Sequence, residues 1–290
     1  MISDSAAPLR GKTILLTGAS GGIGLAAAHQ LAALGAHLLL VCRNPDRGEQ
    51  AREAVEQAAP GTRIELLLCN LSQLAEINQL CDQILECYPR LDVLINNAGV
   101  LPSRLQVTAE GHELCWVTNH LAPFVLTNRL LPLLEASPAG RVITVASEAH
   151  RLGEIETTAT RRNDSAHNSA FTAYCDSKLA NILFTKALAE RLELTGITAY
   201  SLHPGIVRSK LFAGSSWLMR TLVKLATPFT ISTEQAAAAL VHLVTDHGAT
   251  KYNGQYFKRG RPTSISNRAA NLAEAQRLWR ISADETGVGQ

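Results

Sequence analysis

Between a short apolar run, Thr13 to Leu16, and a helix-like pattern, Leu25 to Leu34, the chain reads Thr17-Gly18-Ala19-Ser20-Gly21-Gly22-Ile23-Gly24. No other stretch narrows the possible folds as far. Strand, glycine-rich turn and helix together make the opening βα unit of a nucleotide-binding α/β fold. The glycines let backbone approach a pyrophosphate closely, and the helix N-terminus offers it unpaired N–H groups and a positive dipole end. A glycine cluster can also be a plain turn, but its place between a strand and a helix near the N-terminus argues against that.

The alternation then continues. His37 to Cys42 reads as a strand, Asp46 to Ala59 as a helix ended by Pro60-Gly61, and Arg63 to Leu68 as a strand leading into Cys69-Asn70-Leu71. Leu74 to Cys87 is helical, Asp92 to Ile95 is a strand, and further strands fall at Arg141 to Ala146 and Thr198 to Leu202, with helix-like His112 to Leu131 between. No composition break interrupts this order. The expectation is an α/β fold: a single-domain, Rossmann-type, doubly wound parallel sheet of about seven strands with helices on both faces. Residues 1–290 form that one domain, with a flexible N-terminus at 1–10 and a C-terminal tail at 258–290.

The end of the second strand sets the dinucleotide preference. A carboxylate there accepts hydrogen bonds from an adenosine ribose, whereas a basic residue suits a 2′-phosphate. Here it reads Val41-Cys42-Arg43-Asn44, with no acid and an arginine fork suited to phosphate. NADP(H) is expected over NAD(H), and Ser20 is a further candidate for phosphate contact.

Composition excludes several classes. With 46% apolar and 18% charged residues and a net charge of +2, the chain can bury a real core and carries no basic stripe for nucleic acid. The six cysteines show no CxxC pair, the nine histidines no HExxH, and no GxSxG elbow occurs. No metal site is expected. The most apolar stretch, Ala26 to Cys42, is interrupted by His29, Gln30, Gly35 and His37, which is too broken for a transmembrane anchor. These features read as a soluble, cytoplasmic protein with reduced thiols.

One further pair carries chemistry. Residues four apart on a helix share a face, so if Ala173 to Ala187 is helical, Tyr174 and Lys178 point into the same space. A phenol of unperturbed pKa about 10 is a poor acid or base at pH 7, and a fixed cation nearby favours its ionised form.

Thr17-Gly18-xxx-Gly22-Ile23-Gly24, Asn96-Asn97-Ala98-Gly99, Asn119, Ser147, Tyr174-xxx-Lys178 and Pro204-Gly205 resemble, in order and over nearly the whole chain, the short-chain dehydrogenase/reductases. Ala173 to Asn181, Thr118-Asn119-His120-Leu121 and His203 to Arg208 look most like the retinol dehydrogenase-like branch. The resemblance implies a carbonyl–alcohol oxidoreductase. In it Tyr174 is the proton donor or acceptor, Lys178 lowers its pKa and holds the nicotinamide ribose, Ser147 orients the substrate oxygen, and Asn119 holds a water in a proton relay. It further implies that Gly18, Ser20, Gly21, Gly22, Ile23, Gly24, Arg43, Asn44, Asn70 and Leu71 line the adenosine and phosphate end. Asn97, Ala98 and Gly99 would form the cofactor wall, with Pro204, Gly205, Ile206 and Val207 framing the nicotinamide. Homodimers or homotetramers built on the helices flanking Asn119 and Tyr174 follow from the same resemblance.

Three departures stand out. Asn70 replaces a usual Asp, Ala146 a usual Ser, and the distance from Ser147 to Tyr174 is long enough to need a polar insertion at 148–169. The apolar region 209–232 is the expected substrate lid, which points to a small but bulky apolar carbonyl or alcohol substrate. His203 reads as a packed strand-end residue, and helix-like Asn267 to Arg280 as a cover for the core or the substrate end. A catalytically idle NADP(H)-binding regulator or scaffold is the alternative from another class. An epimerase or dehydratase of the extended fold shares the Tyr/Lys pair but needs a sugar domain that the short region after the sixth strand does not provide.

Overall fold

The computed structural model describes residues 7–155, 169–205 and 230–290. Residues 1–6, most of the 148–169 insertion, nearly all of the 209–232 lid, and Ile206 and Val207 lie outside the described residues.

Apolar runs bounded by turns become the strands β1 (Thr13–Thr17), β2 (His37–Cys42), β3 (Ile64–Leu68), β4 (Val93–Asn96), β5 (Arg141–Val145) and β6 (Thr198–His203). Helices cover both faces of such a sheet, so most of these runs are apolar throughout instead of alternating. Two short strands close the sheet, β7 (Tyr256–Lys258) and β8 (Arg261–Pro262), giving the order β3-β2-β1-β4-β5-β6-β7-β8. Seven strands are parallel as expected, and β8 adds an antiparallel edge through a hairpin at Arg259-Gly260. Strand order reverses between β1 and β4, and clefts in such sheets open at the carboxyl ends of the strands flanking that point.

Helices α1 (Gly22–Ala33), α2 (Pro45–Ala58) and α7 (Thr233–Thr245) bury their apolar faces on one side of the sheet. On the other side lie α3 (Leu74–Cys87), α5 (Ala122–Glu135), α6 (Ala170–Arg191) and α9 (Leu272–Thr286). Between them come the short α4 (Leu114–Trp116) and α8 (Asn267–Ala270). Local capping sets several starts: Asn44 accepts from Arg47 N–H at 2.9 Å before Pro45 opens α2, and Ser169 accepts from Thr172 N–H at 3.0 Å before α6.

Some expectations shift. The helix expected over His112 to Leu131 starts at Leu114 and runs to Glu135, with a π-helical turn, Val117–Leu121, inserted around Asn119. The C-terminal helix is broken at Asn271, which caps α9 by accepting from Glu274 N–H. Helix α7 and the strands β7 and β8 are additions to the expected order. Residues 7–10 are anchored rather than loose: Leu9 is buried and its N–H donates to Leu34 O at 3.0 Å.

The 258–290 tail packs on the core. Trp279 packs on the Phe124–Phe184 pair, with centroids at 4.9 and 5.9 Å, and the Arg191 guanidinium sits 4.2 Å from its ring centre. Ser282 donates its hydroxyl to Leu278 O, so it accepts from His120 Nε2 at 2.8 Å, and Trp116 Nε1 donates to Glu285 at 2.9 Å. The chain's own C-terminal helix therefore packs against both helices that carry Asn119 and Tyr174.

Candidate active site

The turn after β1 is built around a threonine. Thr17 Oγ1 donates to Ile95 O at 3.2 Å and accepts from the N–H groups of Asn97 and Ala98, each at 3.0 Å. Asn97 returns the contact through its amide, donating to Thr17 O at 2.8 Å. Backbones approach so closely here that a side chain has no room. A Cβ at Gly24 would lie 2.2 Å from Gly18 O, and one at Gly18, whose φ is +70°, would lie 2.8 Å from Ala98 Cα. The result is a firm shelf at the sheet's switch point.

That shelf opens into a cleft of ≈ 730 Å³ lined by Gly18, Ser20, Gly21, Gly22, Ile23 and Gly24, by Arg43, Asn44, Asn70 and Leu71, by Asn97, Ala98 and Gly99, and by Ser147, Tyr174, Lys178, Pro204 and Gly205. Eighteen expected residues, widely separated along the chain, thus share one surface. Asn119 alone among the described expected residues is absent from the wall. It is fully buried behind it, accepting from Val100 N–H at 2.8 Å and donating to Val100 O at 3.1 Å and Ser177 Oγ at 3.0 Å. Its amide braces the segment after β4 and ties it to α6.

Lys178 is buried and donates to Val145 O at 2.9 Å, with its ammonium 5.6 Å from the Tyr174 ring centre. Burial pulls its pKa down to about 8. The expectation that Lys178 lowers the Tyr174 pKa meets a stronger opposing effect: burial pushes the phenol up to about 12, while a hydrogen bond with Ser147 pulls the other way. Tyr174 is thus a protonated phenol at neutral pH. Cys115 and Cys175 flank it, and burial raises both thiols, Cys175 to about 12, so neither competes as an ionised group.

Asn70 closes its own turn, accepting from the Ser72 hydroxyl at 2.9 Å. Asn44 is spent as the α2 cap, yet its placement brings Arg47 into the cleft wall beside Arg43. Arg47 was missing from the expected set, although its position four residues after Arg43 on a helix start is a readable signal. Thr118, Thr233 and His203 also line the cleft unannounced. The Thr118 hydroxyl and His203 Nδ1 are buried without a hydrogen-bond partner, and burial lowers the His203 pKa to about 4. His203 is packed at its strand end as expected and faces the site as well. Among the described residues, no carboxylate lines the cleft, while Arg43, Arg47 and Lys178 do. The described residues also hold no group of three metal-ligating side chains, and none of their helices is long and apolar enough to cross a membrane.

The chain belongs to the short chain dehydrogenase family, whose profile matches residues 12–216. Among its relatives, bovine retinol dehydrogenase 12 is 39% identical over 97% of this chain and 88% of its own length, and human retinol dehydrogenase 11 is 36% identical over 99% and 89%. It is thus an oxidoreductase of the retinol dehydrogenase-like branch, and the fold agrees. An uncharacterized protein from Mycobacterium paratuberculosis superposes with a TM-score of 0.78 at 29% identity, covering 97% of this chain and 95% of that one. A short chain dehydrogenase from Shigella flexneri in complex with NADP superposes with a TM-score of 0.68 at 25% identity, covering 88% and 100%.

Proposed function

We propose that this protein is an NADP(H)-dependent oxidoreductase that reduces an apolar aldehyde or ketone to its alcohol, with Tyr174 as the proton donor. The observation that carries this reading is the cleft itself: a glycine-lined shelf with Arg43 and Arg47 at one end, Ser147 with the buried Tyr174 and Lys178 at the other, and no carboxylate among the described residues of its lining. A dinucleotide phosphate fits such a wall, because its charge meets cations and backbone N–H groups without an opposing anion. Gly18 to Gly24 and the start of α1 would hold the pyrophosphate, Arg43 and Arg47 the 2′-phosphate, and Asn97 to Gly99 with Pro204 and Gly205 the nicotinamide end. The bound dinucleotide supplies the hydride.

The protein's own part is proton transfer and orientation. Ser147 donates to the substrate oxygen, and Tyr174, held beside it, gives its phenolic proton as negative charge develops there. The phenolate left behind is formed next to the Lys178 ammonium, which stabilises it. Burial keeps the phenol protonated, so the proton to be donated is in place before reduction begins. The apolar walls Val100, Val145 and Ala146 near the reacting end, together with the retinol dehydrogenase names of the relatives, support an apolar substrate. The test is NADPH consumption across retinal, steroid, fatty aldehyde and aromatic ketone substrates, with NADH in parallel. Tyr174→Phe should keep NADPH affinity and lose turnover. NADPH binding without oxidation of any member of the panel would favour the idle binder instead.

A further inference from the structure

Ser147 sits at the start of a 3₁₀ turn, Glu148–Leu152, and its carbonyl receives two hydrogen bonds from one residue. The backbone N–H of His150 donates to it at 3.1 Å, and His150 Nδ1 lies 2.8 Å from the same oxygen. A carbonyl can only accept, so Nδ1 carries the proton and Nε2 bears the lone pair. That lone pair faces the Ser266 N–H at 3.3 Å, at the start of α8. The ring is buried and packs edge-on against Tyr256 on β7 at 5.2 Å, while the Tyr256 hydroxyl donates to Glu148 at 2.8 Å. His150 does not line the cleft.

We infer that His150 is a positioning residue: its imidazole, held in one tautomer between the Ser147 carbonyl and the Ser266 amide, fixes the turn that aims the Ser147 hydroxyl at Tyr174. The alternative, a packed core histidine that fills space, accounts for the burial but not for two opposed and satisfied ring nitrogens. A ring that only fills space has no reason to distinguish its nitrogens. Here one must donate and the other accept, so protonation places an N–H against the Ser266 N–H and releases that side of the turn. The titratable and charged groups around the ring are Glu148 and Arg151 on its own turn, His203 on β6 and Tyr256 on β7. Burial is the largest influence and lowers its pKa. The neutral, bridging form therefore persists through neutral pH.

This inference rests on the proposed reaction, so its test carries Tyr174→Phe as a control. His150→Phe keeps a ring of similar size and removes both hydrogen bonds, whereas His150→Gln retains one donor and one acceptor. With NADPH binding as the measure of folding, His150→Phe should lower kcat at least tenfold while leaving NADPH affinity within about threefold. His150→Gln should recover most of that loss and abolish the part of the acid limb of the pH–rate profile that the wild type owes to His150. An unchanged kcat in His150→Phe, with Tyr174→Phe inactive, overturns the positioning role alone. So does a Gln variant no better than Phe, or one that keeps the wild-type acid limb. Activity retained in Tyr174→Phe instead overturns the underlying reaction assignment. If His150→Phe fails to bind NADPH, the comparison of His150→Gln with wild type across pH decides the matter.

Discussion

Replacing Trp279 by alanine tests whether the C-terminal helix is structural support for the two helices that carry Asn119 and Tyr174. The indole is buried against the Phe124–Phe184 pair, with Arg191 over its face and Nε1 donating to Gly289 O at 2.7 Å. Truncating a buried Trp costs about 3–5 kcal/mol in transfer and cavity terms. The lost hydrogen bond adds about 1 kcal/mol and the half-exposed cation–π contact about 0.5. These groups share neighbours, so the sum is not additive, and about 4 kcal/mol is the expected loss. At roughly 2–4 °C per kcal/mol for a chain of this size, Tm should fall by about 8–16 °C. Trp279→Phe keeps most of the ring packing and should lose only about 1–2 kcal/mol. Thermal and urea unfolding, with and without saturating NADPH, provide the measurement. A loss below 1 kcal/mol for the alanine variant would mean that α9 lies on the core without holding it.

Other expectations follow from the same geometry. Gly24→Ala puts a Cβ 2.2 Å from the Gly18 carbonyl, so the turn must open, and NADPH affinity measured by calorimetry should drop at least tenfold; an unchanged affinity contradicts the close-packed shelf. Arg43→Ala and Arg47→Ala should each weaken NADPH roughly tenfold or more with little effect on NADH, since each removes a charge-assisted contact to a 2′-phosphate; equal losses for both cofactors would discard that role. His203 has its pKa lowered from 6.5 to about 4. The unfolded chain therefore takes up a proton that the folded one refuses, and stability is lost as pH falls from about 6.5 toward 4. His203→Asn should flatten that fall by up to about 3 kcal/mol in unfolding curves. Asp92 is buried at the amino-terminal ends of the central strands, away from the cleft, where it accepts from Thr13 N–H, Lys12 and Ser137. Asp92→Ala should cost about 3 kcal/mol of stability while leaving NADPH affinity intact.

The legible parts of the sequence were those with a local rule behind them. Apolar runs between turn residues gave β1 to β6 nearly to the residue, and the glycine turn located the cleft. The short β7 and β8 carry too few residues for a period to emerge, whereas α7 follows a capping box, Ser232 with Gln235, whose spacing is a readable start signal that the expected order left out. Within the site, residue types announced Ser147, Tyr174 and Lys178, because their chemistry is unusual in that order. The energetic balance was not announced. Lys178 on the same helix face suggested a lowered phenol pKa, yet the depth of burial, which depends on every element packed around α6, reverses the sign. Asn119 shows the same limit, since its amide is bound to Val100 and Ser177, which no spacing rule connects to it.

The partnership between α9 and the two helices that carry Asn119 and Tyr174 has a consequence for the order of events in the cell. His120 and Ser282 are 162 residues apart, and Trp116 and Glu285 are 169. A ribosome delivers the chain from its start, so Asn119 and then Tyr174 emerge on helices whose outer faces are bare until the residues around Trp279 follow. During that interval Phe124 and Phe184 are open to water and to other chains. Such long-range closure is slow and leaves apolar surface available for misassociation. The catalytic frame is therefore completed from its far end, and substitutions in α9 should reduce the yield of folded protein during synthesis before they alter the chemistry of the finished enzyme.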